Sequence, residues 1–132
     1  MQSPRLFKSL VLAASIALSA AAGTALAFPA TGELNAQEAT TLMDGQKKIA
    51  ILDVRTPGEF ADGHAQGAIN IPVSELPARI GEVPAGPVLI LCRSGMRAGN
   101  AYRILTGSGR TPESLWFLRG FTDYSSGTPR FR

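Results

Sequence analysis

The single cysteine of the chain, Cys92, lies in a stretch whose residue types could support nucleophilic chemistry. The stretch reads LILCRSGMRAG, residues 89–99, with an apolar run before the cysteine and Arg93 and Arg97 after it. An ionised cysteine is a strong nucleophile, and neighbouring positive charge favours the ionised form. The alternative is a small buried thiol at a strand end, because cysteine is among the most buried residue types. The basic and polar neighbours favour the nucleophile.

The loop after Cys92 is short and contains Gly95, so its backbone N–H groups can point inward. Such a concave array binds anions, and the N-terminus of a following helix adds unpaired N–H groups and a positive dipole end. The loop would therefore hold a thiolate, a persulfide or the oxyanion of a substrate. Arg93 and Arg97 would add fixed charge, since an arginine can hold a sulfonate-type group at two points.

The elements that must position this loop alternate between helix and strand. Helical signals begin at Asn35 and Thr56, each an N-cap followed three residues later by glutamate, as in a capping box. Apolar runs predict strands, and Ala98, Ala101, Tyr102 and Leu105 recur at helical spacing after the cysteine. The predicted strands cover residues 49–54, 68–72, 88–91 and 114–118. This order predicts an α/β three-layer sandwich with a mainly parallel central sheet flanked by helices.

Three segments carry weaker signals. Residues 28–32 are predicted to be a short lead-in, Ser74 is predicted to cap a helical turn, and the tail from Gly120 is predicted to be short and polar.

In parallel sheets, ligands bind beyond the carboxyl ends of the strands. Cys92 stands at the carboxyl end of the most apolar strand, which makes it a candidate site residue by position alone. Asp53 and Arg55 end a neighbouring strand, and we expect them to support the loop through charge-assisted hydrogen bonds.

The N-terminus is typical of a signal peptide for export. Arg5 and Lys8 precede an uncharged apolar stretch that closes on Ala25-Leu26-Ala27, the small-x-small pattern read by signal peptidase. We expect residues 1–27 to be removed and residues 28–132 to form one domain in a bacterial periplasm. An uncleaved membrane anchor is the alternative, since the apolar run approaches the length that spans a bilayer.

The charge of the chain argues against polyanionic partners. The formal net charge is +3, and without Arg5 and Lys8 there remain 11 basic and 10 acidic side chains. A nearly neutral domain gives no reason to expect nucleic-acid binding or, after cleavage, stable membrane association.

Two separated stretches resemble the rhodanese-like family. They are ILDVRTPGEFADGHAQGAINIP, residues 51–72, and the cysteine loop itself. The resemblance implies a sulfurtransferase in which Cys92 takes sulfur from thiosulfate or a persulfide and passes it to cyanide or a thiol. It further implies that Arg93 and Arg97 orient an anionic donor, while Ser94, Gly95 and Met96 contribute mainly backbone N–H groups. No cofactor or metal is implied.

The resemblance leaves a second function open. Cys92 could serve as a persulfide carrier or thiol sensor for one protein partner, with little turnover of small molecules. Phosphatase-like relatives of this fold carry an arginine at the sixth position after the cysteine, where this chain has Ala98. The resemblance therefore disfavours phosphatase chemistry.

The remaining signature residues are interpreted as structural. Glu59 is assigned to its capping box, His64 to a structural Gly-His segment, and Trp116 to the core. The chain departs from the family near its end, where many relatives have a Gly-Gly pair and then a tryptophan. Here Arg119-Gly120-Phe121 replaces the pair and Tyr124 stands near the tryptophan position. We expect that segment to pack behind the sheet.

Overall fold

The computed structural model describes residues 31–46, 48–109, 112 and 114–132. The elements alternate along this part of the chain. In order they are β1 (Thr31–Leu34), α1 (Ala36–Gly45), β2 (Ala50–Asp53), α2 (Pro57–Asp62), β3 (Ile69–Asn70), α3 (Leu76–Arg79), a 3-10 turn (Ile80–Glu82), β4 (Val88–Leu91), α4 (Met96–Gly107), β5 (Leu115–Leu118), β6 (Thr122–Asp123) and β7 (Arg130–Phe131). The proposed signal peptide, residues 1–27, lies outside the described residues.

Five strands form one parallel sheet in the order β1-β5-β4-β2-β3. The most apolar strand, β4, lies at its centre between β2 and β5. Its register pairs Asp53 with Leu91, so the loop that begins at Cys92 starts beside the end of β2. The prediction of a mainly parallel sheet is confirmed.

Both faces of the sheet are covered. Side chains alternate along β4, so that Val88 and Ile90 join a core with α4, while Leu89 and Leu91 join a second core with α1. Because a strand buried on both faces has no polar side to present, its sequence is apolar throughout. The three-layer α/β sandwich is confirmed.

Local sequence signals explain where two helices begin. Asn35 Oδ1 accepts a hydrogen bond from the Glu38 N–H, and the Glu38 carboxylate accepts one from the Asn35 N–H, which completes the predicted capping box of α1. Thr56 Oγ1 accepts from the Glu59 N–H at 3.2 Å, with Pro57 at the first position of α2.

The predicted Ser74 cap is wrong. The residue before α3 is Glu75, and it makes no side-chain cap bond. The Pro72 carbonyl instead accepts from the N–H groups of Glu75 and Leu76, so backbone bonds close this turn.

Both ends of the described chain contain strands that the sequence did not predict. Thr31–Leu34, expected in part to be a lead-in, is the edge strand β1, paired with β5. The segment expected to be a polar tail forms the antiparallel hairpin β6–β7, in which Phe121 and Arg132 exchange backbone hydrogen bonds of 2.9 Å. We call residues 120–132 the C-terminal hairpin.

No helix in the described part of the chain is both long and apolar enough to cross a membrane.

Candidate active site

Two backbone amides point at the sulfur of Cys92. The Gly95 N–H donates to Sγ at 3.0 Å and the Ala98 N–H donates at 3.4 Å. The residue is 2% exposed and contacts the core on the α4 side of the sheet. Because amide donors and the start of α4 stabilise negative charge, this end of the loop can accept an anion beside Sγ.

The loop can close this tightly because residue 95 is glycine. Gly95 has φ = +96°, and a Cβ there would lie 2.8 Å from the Leu118 carbonyl oxygen. The left-handed backbone and the close approach of β5 both exclude a side chain.

Arg97 and Glu59 connect the start of α4 to α2. Arg97 Nη1 lies 2.8 Å from Glu59 Oε1 and Nη2 lies 2.9 Å from Oε2. The prediction that its capping box alone explains Glu59 is wrong. Thr56 caps the Glu59 N–H, but the Glu59 carboxylate binds Arg97, 38 residues away in sequence, and not the Thr56 backbone N–H. The Arg97 guanidinium is the main cause that lowers the pKa of Glu59 below its ordinary value.

Asp53 and Arg55 form a buried ion pair beside the loop. Arg55 Nη2 lies 2.7 Å from Asp53 Oδ2, and Nε lies 3.0 Å from Oδ1. Arg55 also donates to the Gly63 carbonyl at 2.7 Å. The Asn70 amide donates to the backbone carbonyls of Asp53 and Arg55, so β3 helps to hold the pair in place.

Tyr124 reaches the cysteine from the C-terminal hairpin. Its hydroxyl donates to the Cys92 carbonyl oxygen at 3.0 Å, and the Arg55 guanidinium carbon lies 3.6 Å from the centroid of its ring. Burial raises the pKa of Tyr124 above its ordinary value, so the hydroxyl stays protonated. The expectation that this segment packs behind the sheet is wrong at Tyr124, because the hairpin folds back against the loop.

The other loop residues face solvent. Arg93, Ser94 and Met96 are exposed, and Met96 is 80% exposed. Among the described residues, the Arg93 side chain has no ion-pair partner, in contrast to Arg97.

The model of the rhodanese-like domain family matches residues 35–126. The chain belongs to the rhodanese-like family. This match runs from the N-cap of α1 into the C-terminal hairpin and therefore includes Tyr124 as well as the cysteine loop.

Two proteins similar to this rhodanese-like domain are named as sulfurtransferases. The chain is 32% identical over 81 residues to a sulfurtransferase of Allochromatium vinosum, covering 59% of this chain and 76% of that protein. It is 41% identical over 63 residues to the thiosulfate sulfurtransferase PspE of Escherichia coli, covering 46% of this chain and 61% of PspE. The chain thus spans about three fifths of the length of PspE.

A solved structure shares the fold. The rhodanese-related protein of Thermoplasma volcanium superposes with a TM-score of 0.56 at 26% identity, covering 67% of this chain and 84% of that one.

Two other residues of the rhodanese-like domain, His64 and Trp116, contact parts of the protein outside the cysteine loop. His64 contacts the Phe60 carbonyl through Nδ1 at 2.7 Å and stacks on the Phe60 ring, 3.7 Å between centroids. Trp116 is 3% exposed within the core, as predicted. Within the described residues, no three His, Cys, Asp or Glu side chains are grouped so as to hold a metal ion.

Proposed function

We propose that this rhodanese-like domain is a sulfurtransferase that carries sulfane sulfur on Cys92. The donor is thiosulfate or a persulfide, and the acceptor is cyanide or a thiol. The observation that supports this proposal most directly is the pair of amides that donate to Cys92 Sγ at the start of α4. Similarity to named sulfurtransferases supports sulfur transfer in general.

In the first step, the Cys92 thiolate attacks the outer sulfur of thiosulfate. A Cys92 S–S bond forms while the S–S bond of thiosulfate breaks, and sulfite leaves with that electron pair. The product is an anionic persulfide, so one negative charge stays on the enzyme and two leave with sulfite. Because the persulfide is also an anion, we expect the loop amides to stabilise it as well.

In the second step, the acceptor attacks the outer sulfur of the persulfide. With cyanide, a C–S bond forms, the S–S bond breaks and thiocyanate leaves. The Cys92 thiolate is regenerated with its charge. Covalent catalysis of this kind divides one difficult transfer into two easier displacements, and an ionised thiol needs no general base.

The burial of Cys92 limits how a donor can approach. Because the residue is only 2% exposed, we expect a donor to reach Sγ through an atom at its tip, as the outer sulfur of thiosulfate is. Arg93, exposed and without an ion-pair partner among the described residues, is placed to attract the anionic end of the donor. Both terminal nitrogens of Arg97 bind the Glu59 carboxylate, which offsets most of its charge, so Arg97 holds the loop in place rather than gripping the donor at two points.

We propose further that the protein works in the periplasm. The support is the sequence of residues 1–27, with two basic residues, an apolar stretch and the closing Ala25-Leu26-Ala27 pattern. Accumulation of the mature chain in an osmotic-shock fraction, beginning at Phe28 by N-terminal sequencing, is the expected result. Retention of residues 1–27 in a membrane fraction would favour the anchor instead.

Steady-state assay with thiosulfate and cyanide tests the enzymatic proposal. Wild type should form thiocyanate, and Cys92→Ser and Cys92→Ala should form none. Mass spectrometry after thiosulfate alone should show one added sulfur on the peptide that contains Cys92. A stable persulfide without turnover would favour the carrier function, and turnover by Cys92→Ser equal to wild type would exclude both.

A further inference from the structure

The C-terminal hairpin binds two consecutive carbonyl groups of the cysteine loop. The Tyr124 hydroxyl donates to the Cys92 carbonyl at 3.0 Å, and the Thr122 N–H donates to the Arg93 carbonyl at 3.2 Å. In a trans peptide the C=O and N–H groups point in opposite directions. The two bonds therefore turn the N–H groups of Arg93 and Ser94 away from the hairpin.

Those two N–H groups are available for a ligand. Neither Arg93 N–H nor Ser94 N–H donates a hydrogen bond to any residue that the structure describes. They precede the Gly95 amide, which already donates to Cys92 Sγ. Consecutive N–H groups oriented in this way form an anion-binding concavity.

The Tyr124 hydroxyl is itself held in place by buried groups. Its ring lies against the Arg55 guanidinium, and Arg55 is fixed by Asp53 and by the Gly63 carbonyl. Asp53 is fully buried and Arg55 is 6% exposed. A contiguous set of contacts therefore runs from the end of β2 through the hairpin to the Cys92 peptide.

We infer that Tyr124 is a positioning residue for Cys92. This inference rests on the proposed sulfur transfer, and it adds the C-terminal hairpin to the site. Tyr124 acts through the Cys92 carbonyl: it fixes the peptide between Cys92 and Arg93, so that the Arg93 N–H is held ready for an anionic sulfur. It does not touch the reacting atoms.

Comparison of Tyr124→Phe with Tyr102→Phe tests this inference. The first variant keeps the ring beside Arg55 and removes only the hydroxyl donor. The second removes the hydroxyl of a half-buried tyrosine of α4 whose ring packs on Phe117, 5.1 Å between centroids. It controls for loss of a tyrosine hydroxyl in the same fold.

The decisive readout is independent of sulfur transfer. Cys92 is alkylated with the anionic reagent iodoacetate and with the neutral reagent iodoacetamide. The ratio of the two rates measures the preference for the anionic reagent and is compared between wild type and each variant. The thiolate fraction cancels in this ratio. Tyr124→Phe should lower this preference for the anionic reagent about fivefold and kcat/KM for thiosulfate about tenfold. Tyr102→Phe should change neither.

A second measurement distinguishes a local change in the loop from a loss of folding. In ¹H–¹⁵N spectra of Tyr124→Phe, the Arg93 and Ser94 amide resonances should move while those of α1 stay at their wild-type positions. Unchanged loop resonances, or an equal loss of anion preference in Tyr102→Phe, would overturn the inference. Wild type that forms neither thiocyanate nor a Cys92 persulfide, but keeps a Tyr124-dependent alkylation ratio, would refute sulfur transfer and leave the positioning role standing.

Discussion

Arg97 at the start of α4 and Glu59 of α2 form a two-point ion pair, with nitrogen–oxygen distances of 2.8 and 2.9 Å. This pair fixes one of the two loop arginines against the protein. Arg93, the other loop arginine, remains exposed. The two loop arginines look equivalent in the sequence, but only the Arg97 side chain is held by an ion pair. Substitutions of the two should therefore differ in their effect on stability.

Arg93→Gln should raise the KM for thiosulfate about fivefold, which is the effect of losing one exposed charge that attracts an anion. The melting temperature should stay at the wild-type value, because the side chain binds no described residue. Arg97→Gln should raise the same KM and also lower the melting temperature, since Glu59 loses its partner. Initial-rate kinetics and a thermal melt separate the two. Equal melting temperatures for the two variants would contradict this distinction.

Glu59→Gln should lower the free energy of unfolding by about 0.5 kcal/mol near neutral pH, a small value because both partners are partly exposed. The folded-state pKa of Glu59 lies below the ordinary value of 4.5. The stabilisation is thus fully present above that value and is lost as the pH falls through the lowered pKa. Urea unfolding of wild type and variant should differ near neutral pH and converge in acid.

Asp53→Asn should destabilise the protein by about 3 kcal/mol, because Arg55 then keeps a buried charge without its carboxylate. Urea unfolding measures this loss. Glu82→Gln is the matched control, since it breaks the exposed pair with Arg79 and should leave stability unchanged within error. A similar small loss of stability in both variants would show that burial of the Asp53–Arg55 pair does not increase its contribution to the free energy of unfolding.

Gly95→Ala should destabilise the fold by about 3 kcal/mol and abolish thiocyanate formation, because the added Cβ meets the Leu118 carbonyl in a left-handed backbone conformation. Gly107→Ala is the control. No atom lies within 4 Å of a Cβ at Gly107, and its φ is not in the left-handed region. Alanine at the end of α4 should therefore stabilise the protein by about 0.5 kcal/mol. Thermal melts and the thiocyanate assay check both.

The parts of the fold that the sequence predicted depend on local signals. The capping box of α1 joins residues three apart, and β4 is apolar in every position because it is buried on both faces. The edge strand β1 lacks such a signal, since only Leu34 of its residues is buried. The hairpin strands β6 and β7 are two residues long, too short for a periodic pattern.

In the candidate site, too, the features with a local sequence signal could be predicted and those without one could not. The position of Cys92 between a buried strand and a helix is visible in the sequence, as is the need for a short loop around Gly95. The bonds from Arg97 to Glu59 and from Tyr124 to Cys92 span 38 and 32 residues, so no local pattern indicates them. The one available signal in the sequence is that Tyr124 stands near the position where many relatives have a tryptophan.

The depth of Cys92 has a consequence for how the protein behaves in an oxidising environment. A disulfide between two chains requires both sulfur atoms to approach within bonding distance, with their β-carbons splayed at a fixed dihedral. A sulfur at the base of a closed loop, in a residue 2% exposed, offers no room for a second copy to approach. We therefore expect small reagents to reach Cys92 and disulfide-linked dimers not to accumulate when reductant is absent.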